Sequence, residues 1–215
     1  MNFKLLLSGV ILFLTFTNAY SQKQHFPLSA KVEISEEIKE LFHEEGRFYL
    51  FLTQNPNTEP RTQTWPNPRN KTYIFAKNIA GLKQDQVLHI KNDKNWISTA
   101  DWTLDEVPAG EYYVQILWDQ DLKESRINAP GNLFSKKQKV NMDQPIELEL
   151  LLSESIEERK VNSHELSRVV DIKSETLSNW WNKPIHLKAS VLLPHQYNSK
   201  KAYPIRYNVA GYGGE

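Results

Sequence analysis

Seven residues near the middle of the chain constrain its fold more than any other stretch. Ile146, Leu148, Leu150 and Leu152 alternate with Glu147 and Glu149. Apolar side chains at every second position share one face of an extended strand, whereas a helix would scatter them around its circumference. Tyr112, Val114, Ile116 and Trp118 form a second such set, and Phe48, Leu50 and Leu52, within 47–53, a third. Shorter candidates lie at 72–77 and 86–91. Between them stand turn-formers: Asn55-Pro56-Asn57, Pro66-Asn67-Pro68, Asn92-Asp93-Lys94-Asn95, Pro108-Ala109-Gly110 and Ala129-Pro130-Gly131-Asn132. Short strands punctuated in this way predict a β-sandwich over about residues 31–152.

The run from Leu104 through Pro108, Gly110 and Tyr112 to Val114 resembles a corner of immunoglobulin-like sandwiches. There a proline-glycine turn feeds a strand opening with tyrosine, whose hydroxyl bonds back to nearby backbone. An ordinary turn with Tyr112 simply buried is the alternative. Helical signals are few. Residues 35–45 predict a short helix with Ile38, Leu41 and Phe42 on one side. Residues 153–165 are polar and acidic (Glu154, Glu157, Glu158), with only Ile156 and Val161 to bury, and read as a linker. Beyond it, Val170 and Ile172 alternate with Asp171 and Lys173. Ile185, Leu187, Ala189, Val191 and Leu193 alternate with His186, Lys188 and Ser190. Pro194 closes that strand, and Ile205, Tyr207 and Val209 predict a final one running into Gly211-Tyr212-Gly213-Gly214. The expected organisation is a leader over 1–21, a sandwich domain over 22–152, a linker over 153–167 and a second domain from 168 to 215.

Compartment follows from the first residues. Lys4 precedes an apolar stretch over 5–16, and Ala19-Tyr20-Ser21 offers small residues to a signal peptidase, predicting cleavage before Gln22. The apolar stretch is shorter than the ~20 residues a membrane span needs. A secreted or periplasmic protein, free of the membrane after cleavage, is expected. There is no cysteine, so neither a lipid-anchored cysteine nor a disulfide can hold it. Basic and acidic residues balance at 26 each, which argues against a nucleic-acid partner. A hydrophobic fraction of 40% is enough to build a core, which argues against disorder.

Most residues able to carry chemistry are scattered. No two histidines stand at helical metal-ligand spacing, and no zinc site is expected. Asp119 and Asp121 flank Gln120 at a strand end. Without a glycine turn and a downstream glutamate they read as a solvated loop, not a calcium site. His25, His43, His89, His186 and His195 are dispersed, and Ser163-His164-Glu165 sets three neighbours in a row. No catalytic role is expected of any of them. Trp65, Trp96, Trp102, Trp118, Trp180 and Trp181 could stack on sugars if exposed. Trp118 belongs to an apolar face and reads as core. Trp65, set among prolines, is best placed for exposure, although packing is the expectation even there.

The tail carries a resemblance. Leu192-Leu193-Pro194-His195-Gln196-Tyr197-Asn198, then Lys200-Lys201-Ala202-Tyr203-Pro204, then a strand ending in Gly211-Tyr212-Gly213-Gly214 resemble the opening of secreted esterases. These belong to the esterase-D-like branch of the α/β-hydrolase superfamily, whose catalytic domains begin with "LPxxY", "KxYP" and "hGxGG" steps. The resemblance covers about 168–215, and the leader and sandwich resemble the accessory domain of some bacterial members. It implies a mainly β chain: an immunoglobulin-like β-sandwich followed by the first strands of a truncated α/β-hydrolase domain. It also implies serine carboxylic-ester hydrolysis of a small ester or acylated carbohydrate, without a cofactor. Gly211, Tyr212 and Gly213 would line the first half of the oxyanion hole, offering backbone N–H donors to the charge on the attacked carbonyl. Ala210 stands where relatives often have histidine, and Arg206 and Asn208 interrupt the apolar strand. The sequence has no Gly-x-Ser-x-Gly elbow, so nucleophile, acid and histidine are expected beyond Glu215, and the chain alone is expected to be inactive. The other reading is a complete secreted β-sandwich binding module for a glycan or a protein.

Overall fold

Alternation becomes strand throughout the first part of the molecule. A computed structural model describes residues 26–65, 67, 69, 71–99, 102–122, 126–158 and 164–209. The leader and the glycine loop lie outside the described residues. The fold is mainly β, and the chain divides into two compact units between Glu158 and Arg159. In the first unit the strands are β1 (Leu28–Ile34), β2 (Gly46–Thr53), β3 (Thr72–Ile79), β4 (Leu88–Ile90), β5 (Ile97–Ser98), β6 (Glu111–Asp119), β7 (Leu133–Ser135), β8 (Gln138–Asn141) and β9 (Ile146–Ser155). They hydrogen-bond in the order β4-β1-β9-β7-β6-β2-β3-β5, with β8 also beside β6. All pairs are antiparallel except β1 with β9.

Packing shows that this sheet is curled. Leu28 and Val32 of β1, Leu150 of β9, Phe48 and Leu50 of β2, and Trp118 of β6 share one buried cluster. Flat, the four steps from β1 to β2 would separate those strands by roughly 19 Å. Curling brings their apolar faces together around a common core, while among the described residues the two ends stay unpaired and the sheet remains open. The end strands β4 and β5 are only three and two residues long. So short an edge offers little backbone for another chain to extend.

Strand β6 is buried on both faces, and its centre is knitted by side chains. On one side β8 pairs with Glu111–Val114, while β7 pairs with Leu117 and Trp118. Between them the Ser135 hydroxyl accepts from the Ile116 N–H at 3.0 Å, replacing a missing ladder bond. Gln115, fully buried, donates to the Ser135 carbonyl at 2.9 Å and to Glu59 at 2.7 Å, and accepts from the Arg61 N–H at 3.0 Å. Those bonds fasten a short 3-10 turn, Pro60–Thr62, over the outer face of the sheet. At the other end Trp118 stacks on Phe42, centroids 5.4 Å apart, and its indole donates to the His43 carbonyl at 3.1 Å. Gly46 is required beside it, because a Cβ there would stand 2.8 Å from both the Trp118 ring and the Asp119 carbonyl. Tyr112 donates to the Pro108 carbonyl at 2.9 Å, the bond expected of the tyrosine corner.

Several expectations are corrected. The strand region opens at Leu28, before residue 31. The helix expected over 35–45 is a six-residue 3-10 segment, Glu36–Leu41. Phe42 follows it in extended backbone and turns inward to Trp118, which leaves Leu41 outside. Strand β9 runs three residues past 152, and Ile156 still exchanges 2.8 Å backbone bonds with Gly131 and Asn132. Asp119 is no solvated loop residue but is buried, accepting from Asn132 at 2.9 Å.

The second unit holds β10 (Ser167–Lys173), α1 (Glu175–Trp181) and β11 (His186–Leu192). The strands pair antiparallel, with Ile172 opposite Leu187 and Val170 opposite Ala189. The Ser174 hydroxyl caps α1 by accepting from the Leu177 N–H at 3.3 Å, and Asn182 ends it in the left-handed region. The final strand expected at Ile205, Tyr207 and Val209 does not form. Residues 202–209 pair with no strand among the described residues, and those three side chains are exposed. Alternation supplies a face, but a ladder also needs a neighbour.

Candidate functional site

The approach to the glycine loop is built from two interlocked turns. After β11, the Tyr197 N–H donates to the Pro194 carbonyl at 3.1 Å, with Gln196 in the left-handed region. Asn198 closes the next turn, its side chain accepting from the Lys200 N–H at 2.9 Å and its carbonyl from the Lys201 N–H at 3.0 Å. The Asn198 N–H donates to the Tyr203 hydroxyl at 3.0 Å, and the Tyr197 and Tyr203 rings lie 5.5 Å apart. The Leu-Pro-x-x-Tyr and Tyr-Pro steps are therefore one local structure. Gly211, Tyr212 and Gly213, expected to follow it as oxyanion donors, lie outside the described residues.

The described histidine rings make local contacts. His186 pairs with Asp171 at 2.5 Å on the exposed face of the second unit. His164 accepts from the Leu166 N–H at 3.1 Å, which shapes a turn. Among the described residues no imidazole bonds to a serine hydroxyl, and no group of three or more His, Asp or Glu could hold a metal ion. No helix among them is long and apolar enough to cross a membrane.

A second place in the molecule has the shape of a binding site. It is an open groove of about 560 Å³ on the first unit, where the chain entering β3 passes the loop after β5. Trp102 and Tyr73 make its floor, edge to face with centroids 4.3 Å apart. Trp65 stands beside them at 72% exposure, which corrects the expectation that it would pack. Gln63, Thr64, Asn67, Lys71 and Thr99 supply polar groups around the aromatic floor, and the Lys71 ammonium sits 5.5 Å from the centre of the Trp102 ring.

The scaffold holds these aromatics from behind. The Pro60–Thr62 turn, pinned by the buried Gln115, leads directly into Gln63, Thr64 and Trp65. Tyr73 lies between Trp102 and Tyr112, meeting the latter edge to face at 6.0 Å. Burial and the neighbouring Tyr73 hydroxyl push the ionisation of Tyr112 up, so its hydroxyl remains a donor to Pro108. The Thr99 hydroxyl accepts from the Ile74 N–H at 3.3 Å, tying the far wall to β3. The tryptophans are visible in the sequence, but their meeting is not, because Trp65, Tyr73 and Trp102 come from three segments joined only by the fold. No family model matches the chain, and no curated protein or solved structure matches it.

Proposed function

We propose that the chain is the amino-terminal part of a secreted serine esterase, an immunoglobulin-like β-sandwich preceding the first strands of an α/β-hydrolase domain. The observation that carries the reading is the exposed apolar surface of the second unit. Ile172, Leu187, Val191 and Ile205 are 55%, 64%, 42% and 75% exposed, although the strand alternation marks such residues for burial. In a hydrolase both faces of the sheet are covered by helices, and further strands lie alongside these. On this reading the segment after residues 202–209 carries the chemistry. The bond from Tyr112 to Pro108 supports the sandwich part of the reading.

The mechanism is acyl transfer through a serine in a Gly-x-Ser-x-Gly elbow beyond Glu215, with its acid and histidine later still. Attack on the ester carbonyl puts negative charge on oxygen. An oxyanion hole answers that charge with backbone N–H donors, a role this reading assigns to Gly211, Tyr212 and Gly213, and each such donor stabilises the transition state by about 2.7 to 4 kcal/mol. The substrate is a small ester or an acylated carbohydrate. In protein expressed from the complete reading frame, Gly213→Val lowers kcat on p-nitrophenyl acetate by ~10² or more while the melting temperature holds. Parallel loss of stability and activity would make the glycine structural and remove the oxyanion assignment. The 215-residue chain gives no turnover above buffer in the same assay, and turnover abolished by a serine-directed inhibitor would overturn the reading.

A further inference from the structure

We infer that the groove formed by Trp65, Tyr73 and Trp102 is a carbohydrate-binding site for a neutral oligosaccharide of flat, β-linked pyranose rings. The inference uses no residue of the second unit and stands whether or not the esterase reading does.

The chemistry of the groove selects this occupant. A pyranose with equatorial hydroxyls presents apolar C–H faces above and below, with its polar groups around the edge. It is recognised by flat aromatic surfaces together with neutral hydrogen-bonding groups, and both are present here. The exposed large face comes from Trp65, Trp102 lies in the floor with the Lys71 ammonium over its ring, and the polar groups are the hydroxyls of Thr64 and Thr99 and the amides of Gln63 and Asn67. A tryptophan 72% exposed beside a second aromatic is a surface that water does not stabilise, and covering it releases that disadvantage. Its indole has only two side-chain torsions to fix, so stacking demands little ordering. The volume falls inside the range of ligand clefts.

Other occupants fit less well. Among the described lining residues Lys71 is the one charged group, and its ammonium is engaged over the Trp102 ring. No carboxylate among them would pair with a basic peptide. The groove is open to solvent, whereas an acyl chain is best enclosed on all sides. The floor and far wall of the groove are also held in advance. Gln115 fixes the turn that leads to Trp65, while Tyr112 and Thr99 brace Tyr73 and the far wall. Binding therefore orders little of the protein, which favours affinity for a small ligand.

The test is titration of the full chain with cellohexaose, xylohexaose, mannohexaose and chitohexaose to millimolar concentration, read by tryptophan fluorescence and calorimetry. At least one gives a saturable change. Trp65→Ala, an exposed position, weakens it by about tenfold or more with the melting temperature unchanged, and Trp102→Phe weakens it as well. Trp65→Ala leaves p-nitrophenyl acetate hydrolysis by the complete protein unchanged, and Gly213→Val leaves the sugar titration unchanged, so the two readings fail separately. Absence of binding to all four sugars would overturn the proposal. So would binding that persists in both variants, or equal saturable binding of a proline-rich peptide at the same groove.

Discussion

Asp119 is where burial and charge oppose each other most directly. It is 5% exposed and accepts from Asn132, itself fully buried and donating also to the Ile127 carbonyl at 3.0 Å. Burial pushes the Asp119 carboxyl above the ordinary carboxylate range, while the Asn132 bond and the charge of Arg47 pull the other way. The folded state therefore holds this proton more tightly than the unfolded chain. The contribution of Asp119 to stability is full below the ordinary carboxylate range and is lost as pH rises through the raised value. Asp119→Asn removes that loss. The difference in melting temperature, variant minus wild type, is expected to shift in the variant's favour from pH 4 to pH 7. A constant difference across that interval would show that Asp119 ionises as it does in the unfolded chain. This environment was not legible beforehand. A strand-end aspartate beside polar neighbours reads as solvated, and the apolar set Tyr112, Val114, Ile116 and Trp118 leaves Gln115 on the other face of its strand. Both are buried because distant segments cover them, Asn132 in one case and the Pro60–Thr62 turn in the other. Tyr112 was legible, because the proline, the glycine and the tyrosine of its corner are neighbours in sequence.

Elements emerge from sequence in proportion to the length of their alternation. Strands β2, β6 and β9 each carry three or four inward apolar residues, and their core faces are Phe48-Leu50-Leu52, Tyr112-Val114-Ile116-Trp118 and Leu148-Leu150-Leu152. Strands β5 and β7, with two and three residues, exist only through their partners. The parallel pairing of β1 with β9 has no local signal at all. Helix α1 is too short for a helical period to register, and its Trp180 and Trp181 are exposed. Residues 202–209 show the opposite failure, a strand pattern without a partner. The β10-β11 ladder leaves apolar side chains and unpaired edges open to solvent, the combination that invites association. A chain ending after Glu158 is therefore expected to elute as a monomer in size-exclusion chromatography at concentrations where the 215-residue chain self-associates. Equal elution of the two would show that the second unit is not an association surface.

At the scale of the whole molecule the two candidate sites reached the page by different routes. The glycine loop is contiguous in sequence, at Gly211, Tyr212 and Gly213, and lies outside the described residues. The aromatic groove is assembled from three segments, and only the curled sheet brings Trp65 to Trp102. Under the two proposals the first unit would hold a carbohydrate, and the second would open a domain whose later residues cleave an ester. The most direct measurement isolates the natural protein with an antibody raised against the first unit, treats it with a fluorophosphonate, and determines its intact mass. The account predicts a polypeptide heavier than the 25.1 kDa of this chain, carrying one phosphonyl adduct on the serine of a Gly-x-Ser-x-Gly segment. A species no heavier than this chain, with no adduct, would contradict it.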